Sequence, residues 1–114
     1  MNDSPKLELG IKLYHQQDFE KALEYFIEII KNEKTESIYE GLFVSALAAG
    51  KPEAAKPYIE EIFELKLKSV SLFHYFSEVA LLLGYSQSQL RELKNQLGIK
   101  YSKILFSKNN GPNT

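Results

Sequence analysis

ALAAGKPEAAKPYIEEIFEL, residues 46–65, reads as the end of one helix, a tight turn and the start of another. Gly50 suits a helix end, because glycine takes the left-handed cap conformation at little cost. Pro52 suits a helix start, where its missing N–H is not needed. A matching pattern, LYHQQDFEKALEYFIEII, stands 33 residues earlier at residues 13–30.

Overlaying the two lays Leu9 on Leu42, Leu13 on Ala46, Tyr14 on Leu47, Gln17 on Gly50, Ala22 on Ala55 and Phe26 on Ile59. A further shift of 34 residues lays Leu42 on Phe76, Ala46 on Ala80, Leu47 on Leu81, Gly50 on Gly84 and Ile59 on Leu93. A period of about 33–34 residues is the signature of a helical repeat array. One helical hairpin cannot bury its apolar face alone, and stacking three closes a core. The expected fold is therefore all-α: three stacked antiparallel hairpins over residues 4–33, 37–67 and 70–97, with a short capping helix from IKYSKILF at 99–106. Residues 1–107 form one domain in this reading, and 108–114, small, polar and terminal, form a disordered tail.

Local punctuation supports this division. Asp3-Ser4-Pro5 opens the first helix, in which Leu7, Ile11 and Tyr14 share a face. Asp18 is placed to cap the second, and Ser37-Ile38-Tyr39-Glu40 reads as a capping box for the third. Pro52 opens the fourth, with a slight kink expected at Pro57, where a backbone hydrogen bond is lost. Ser69 or Ser71 starts the fifth and Gly84 closes it. Ser86-Gln87-Ser88-Gln89 is a second capping box before the sixth, which carries Leu90, Leu93 and Leu97.

The composition narrows the chemistry. The 114 residues carry a formal net charge of −1. Residues 84–114 are locally basic, with Arg91, Lys94, Lys100, Lys103 and Lys108 against Glu92 alone. The chain has no cysteine, so disulfides and thiolate metal sites are excluded. MNDSPKLELG shows no signal-peptide pattern, and the longest apolar run, VALLL at 79–83, is far short of the ~20 residues of a membrane helix. A cytoplasmic location is expected, with no membrane partner. Two histidines, His15 and His74, without a carboxylate cluster make a poor catalytic set. The six glycines are scattered at helix ends and crossings, and none builds a phosphate loop. No catalytic residue, metal site or cofactor is expected, and the chain is not expected to be an enzyme.

The pattern resembles the tetratricopeptide repeat, most clearly in LGIKLY…DFEKALEYFIEII and in ALAAGKPEAAKPYIEEIFEL. Gly10 matches the small residue that lets paired helices approach, and Ala22 and Ala55 match the small residue at their crossing. The third unit departs from the pattern, with Gln89 in place of that alanine; Phe43 stands where the second unit would repeat Gly10. The proline that conventionally follows each hairpin is absent.

The resemblance implies a right-handed array whose first helices line a concave face. That face would carry Leu7, Ile11, Tyr14 and His15, then Glu40, Val44, Leu47 and Ala48, then His74, Glu78, Leu81 and Leu82. It is mostly aliphatic, which suits an amphipathic helix laid in a groove. The expected partner-binding residues are Leu7, Ile11, Tyr14, Val44, Leu47, Ala48, Leu81 and Leu82. The bland alternative is that a short array closes on itself and these side chains are ordinary core.

Within this class the chain is similar to the needle-subunit chaperones of bacterial type III secretion, through SALAAGKPEAA at 45–55 and LFHYFSEVALLLGYSQSQLRELKNQLG at 72–98. That similarity implies a secreted needle subunit as client, its amphipathic helix shielded by the groove, and a small helical co-chaperone beside it. Two alternatives stand against it. VALLLGYSQSQLRELKNQLG, residues 79–98, also resembles a helix-turn-helix, with Ala80, Gly84 and Leu90 at the motif's small, turn and buried positions. Its reading helix would present Arg91 and Lys94 with Glu92 between them, so nucleic acid is not the expected partner. A homodimer that buries the apolar face against a copy of itself is the other.

Overall fold

The computed structural model describes residues 5–65 and 68–97. Those residues are helical, with no strand among them. The helices are α1 (Pro5–His15), α2 (Phe19–Ile30), α3 (Glu36–Ala48), α4 (Lys56–Phe63), α5 (Val70–Leu82) and α6 (Gln87–Leu97). The expected last helix at 99–106 and the expected tail at 108–114 lie outside the described residues.

Three of the five connections share one hydrogen-bonding plan. After α1, the Gln17 N–H donates to the Tyr14 carbonyl and the Asp18 N–H to the Leu13 carbonyl, at 2.9 and 3.1 Å. After α3, Gly50 donates to Leu47 and Lys51 to Ala46; after α5, Gly84 donates to Leu81 and Tyr85 to Ala80. The pivot of each turn has positive φ: 64° at Gln17, 71° at Gly50 and 97° at Gly84. Each turn thus satisfies carbonyls that a helix end leaves unpaired. The pivots are the three positions that the 33- and 34-residue overlay aligns.

Several helix starts differ from their sequence reading. Thr35, not Ser37, caps α3, its Oγ1 accepting from the Ile38 N–H at 3.3 Å. Ser37 is already inside the helix, and Glu40 turns away to accept from Ser71 Oγ at 2.8 Å. Asp18 occupies the cap position of α2 without a capping hydrogen bond, its carboxylate lying 3.8 Å from Lys21 Nζ. Pro52 opens only a 3-10 turn, Pro52–Ala55, and α4 restarts at Lys56. Pro57 therefore lies in the first turn of α4, where its missing N–H costs no intrahelical hydrogen bond. Ser69 caps α5 as one of the two expected choices, Oγ accepting from Leu72 N–H at 3.1 Å. The capping box of α6 forms in full: Ser86 N–H donates to Gln89 Oε1 at 2.8 Å, and Gln89 N–H to Ser86 Oγ at 3.2 Å.

α3 is the central helix, packing against α1, α2, α5 and the 3-10 turn. Ile38, Tyr39, Leu42, Phe43 and Ala46 give it a buried face. Phe76 of α5 stands edge-on to Phe43 and to Phe63, with ring centroids 5.7 and 5.6 Å apart. Such aromatic pairs add about 1 kcal/mol beyond the area they bury. The overlaid small residues Ala22 and Ala55 are both fully buried, as are their partners Phe26 and Ile59. Leu9 breaks the pattern: it lies exposed on α1, whereas Leu42 and Phe76 at the corresponding positions are buried. α1 has no preceding helix among the described residues to cover that side.

Polar ties join neighbouring elements. The Tyr39 hydroxyl on α3 donates to Glu61 Oε1 on α4 at 2.5 Å, and Lys34 Nζ lies 3.3 Å from the same oxygen. The Glu36 carboxylate accepts from the backbone N–H groups of Lys68 and Ser69, at 3.0 and 2.8 Å, holding the start of α5 against the start of α3. Tyr85 donates to Glu60 Oε2 at 2.8 Å, and this hydrogen bond raises the Tyr85 phenol above its ordinary pKa.

Candidate functional site

α1 and α3 run past each other over the side chain of Phe26, and between them lies a pocket of about 350 Å³. Leu7, Ile11 and Tyr14 form the α1 wall, spaced so that they stack on one helical face. The α3 wall is Ser37, Glu40, Gly41, Val44 and Ser45, again a single stripe at three- and four-residue steps. Phe26 forms the floor.

The position of the pocket floor depends on two glycines. A Cβ placed on Gly10 would stand 2.5 Å from Phe26 Cζ, and one on Gly41 would collide with the same ring tip. Phe26 is almost wholly buried, so its ring has little room to retreat. Glycine on both helices lets the ring tip enter their crossing and set the floor. Each glycine costs its helix about 1 kcal/mol relative to alanine, and this close approach is what offsets that cost.

The chemistry of the walls is mixed. Leu7, Ile11, Val44 and the Tyr14 ring supply apolar surface, with Ile11 40% exposed and open to an incoming group. Among the described residues Glu40 is the one charged side chain in the lining, and it accepts a hydrogen bond from Ser71. Ser45 is fully buried, and its Oγ has no hydrogen-bond partner among the described residues.

Four of the eight expected groove residues, Leu7, Ile11, Tyr14 and Val44, meet in this pocket. Leu47 is half-buried against the core and Ala48 is exposed; neither lines it. Leu81 and Leu82 are exposed on α5, Leu82 by 65%, on the same helical stripe as His74 and Glu78. His74 Nε2 lies 3.4 Å from Glu78 Oε2 on the surface, and the exposed His15 packs its ring edge-on to Tyr14 at 5.9 Å. Gly41 and the orphan hydroxyl of Ser45 were not singled out from the sequence. A glycine inside a helix, far from its end, is a signal that a close approach exists; nothing in the sequence marks which serine lacks a partner.

Ser86 and Gln89 bind one another in the cap of α6, and Ser88 Oγ lies 3.1 Å from Ser86 Oγ. Among the described residues, no group of histidine, aspartate and glutamate is arranged to hold a metal ion, and no helix is long and apolar enough to cross a membrane. No family model matches the chain, and neither a curated protein nor a solved structure matches it.

Proposed function

We propose that this protein is a non-enzymatic binding module that holds an amphipathic helix of a partner protein against α1 and α3. The observation that carries this reading is the pocket itself: two helical stripes, mostly apolar, flank a floor made by the Phe26 ring tip, which Gly10 and Gly41 admit between them. A partner helix meets such a surface with anchors spaced three or four residues apart, which matches the spacing of the walls. In this reading the three helix pairs form a tetratricopeptide-like array. The common hydrogen-bonding plan of the turns at Gln17, Gly50 and Gly84 supports that arrangement. The exposed Leu81 and Leu82 extend the binding surface along α5, and Glu40, hydrogen-bonded to Ser71, links α3 to the start of that helix.

The most specific form of this reading is a needle-subunit chaperone of type III secretion, which would shield a polymerising helix until export. The three helix pairs support it. The test is co-expression with a needle subunit followed by sizing chromatography. A defined complex is expected, and it should dissociate when Ile11 is replaced by glutamate. A needle subunit that elutes alone would remove the specific form. Amphipathic helical peptides that leave the backbone amide resonances of Ile11 and Val44 unmoved would remove the binding module as well.

A further inference from the structure

We propose that the pocket between α1 and α3 is selective for a basic side chain, a lysine or arginine carried on the partner's helix; this rests on the groove reading above. Two polar features of the wall carry the inference. Among the described residues Glu40 is the only charged group in the lining, and Ser71 Oγ donates to its Oε1 at 2.8 Å, which fixes the carboxylate from the α5 side. A carboxylate has capacity for several hydrogen bonds, so this contact leaves it able to accept more.

The second feature is Ser45. Its side chain is fully buried, it lines the pocket, and its hydroxyl has no partner among the described residues. A buried hydroxyl without a partner is costly, and it is retained at a cost that a bound group can relieve. A leucine or phenylalanine anchor would fill the pocket and leave that hydroxyl unmet. An acidic anchor would satisfy it and meet the like charge of Glu40. A tyrosine would satisfy it and leave the carboxylate without a counter-charge.

Lysine and arginine meet every feature of the wall at once. Their alkyl stems suit Leu7, Ile11 and Val44, because long basic side chains lie along apolar surface while the charged head reaches a polar group. The head carries N–H donors for Glu40 and, once the Ser45 side chain rotates toward the pocket, for its buried Oγ as well. Attraction between Glu40 and the cation is stronger in a partly enclosed pocket than in open water. Such a pairing also rejects the wrong partner, since a neutral or acidic anchor leaves a polar wall group unpaired.

The probe is a synthetic amphipathic helix of alanine, leucine and glutamine with arginine at its central position. Versions with norleucine, tyrosine or glutamate at that position accompany it. Binding is read by calorimetry, and the site by amide shifts of the full chain. The arginine peptide is expected to bind at least about tenfold more tightly than the others. Glu40→Gln should abolish that advantage, and Glu40→Lys should transfer it to the glutamate peptide. Ser45→Ala should narrow it while the melting temperature stays the same or rises, because the orphan hydroxyl is gone. A norleucine or tyrosine peptide that binds as tightly as the arginine peptide at the same amides overturns basic selectivity and leaves the groove standing. If no peptide moves the resonances of Ile11 and Val44, the groove reading and the selectivity fall together.

Discussion

Gln17 and Gly50 occupy the same backbone position in successive turns, with φ of 64° and 71° and matching hydrogen bonds to the helices before them. Glycine takes this conformation freely, whereas a residue with a Cβ is strained there by roughly 1 kcal/mol. The first turn therefore holds a built-in penalty that the second and third, at Gly50 and Gly84, avoid. Gln17→Gly should stabilise the protein by about 0.5–1 kcal/mol and raise its melting temperature by several degrees. Gly50→Ala should do the reverse, since an added Cβ there meets only open space and the cost is purely conformational. Thermal unfolding followed by circular dichroism checks both, and a Gln17→Gly variant that melts lower would contradict the common turn geometry.

These turns show what was legible in the sequence. Gly50 and Gly84 mark two helix ends directly, and Gln17 is found only by laying the repeats over one another. The helices and most of the core followed from three- and four-residue apolar spacing. Helix starts were less legible because several hydroxyls compete to cap. Thr35 wins over Ser37 by an offset of two residues, and a proline such as Pro52 can open a 3-10 turn as readily as an α-helix. At the pocket, α1 spacing exposed Leu7, Ile11 and Tyr14 as a face. Its floor was not legible, because that depends on where the tip of Phe26, from a third helix, comes to rest.

Phe26 and Gly41 should behave as a coupled pair. Gly41→Ala gains helix propensity worth about 1 kcal/mol but forces the Phe26 ring out of a packed site, at a cost of about 1–3 kcal/mol. A net loss of roughly 1 kcal/mol is expected. Phe26→Leu alone should also destabilise, by leaving the floor underfilled. Combined, the two should cost less than the sum of the single changes, since the smaller side chain makes room for the new methyl. Urea unfolding of the four proteins supplies the cycle, and strict additivity would show that the ring and the glycine do not share space.

Alkaline stability should depend on Tyr39. Its burial and the Glu61 carboxylate beside it push the phenol well above the ordinary tyrosine value of about 10. The folded chain keeps this proton where the unfolded chain releases it. The resulting stabilisation is complete below about pH 10 and declines as pH rises above it. Tyr39→Phe should lose roughly 1 kcal/mol at neutral pH through the missing hydrogen bond to Glu61. Above pH 10 the difference between wild type and variant should shrink. Unfolding free energies of both proteins at pH 7 and pH 11 decide this, and a gap that widens with pH would refute the assignment.

Glu36 ties the start of α5 to the start of α3 through the backbone N–H groups of Lys68 and Ser69. Glu36→Ala removes the acceptor of both. The contact is partly solvated, so a loss of about 1 kcal/mol is expected rather than the full value of two charged hydrogen bonds. The change should also be local: amide hydrogen exchange should quicken at Ser69 and through the first turn of α5 more than in α1 or α2. Uniform acceleration across the chain would mean that the tie acts only through global stability.

Ile11 and Leu82 together measure how far the binding surface reaches. Both are exposed, Ile11 in the pocket wall and Leu82 on the outer stripe of α5. Glutamate at either position buries no charge, so each variant should unfold within about 0.5 kcal/mol of wild type. Ile11→Glu should all but eliminate binding of the helical peptide that carries norleucine at its centre, because it places a carboxylate against Leu7 and Val44 and beside Glu40. Leu82→Glu should weaken the same peptide several-fold if one helix spans α1, α3 and α5, and leave it unchanged if the site is confined to α1 and α3. Measuring both affinities under one set of conditions separates an extended groove from a single pocket. The exposed apolar pair Leu81 and Leu82 favours the extended groove, since a partner lying across α3 has apolar surface to meet on its far side.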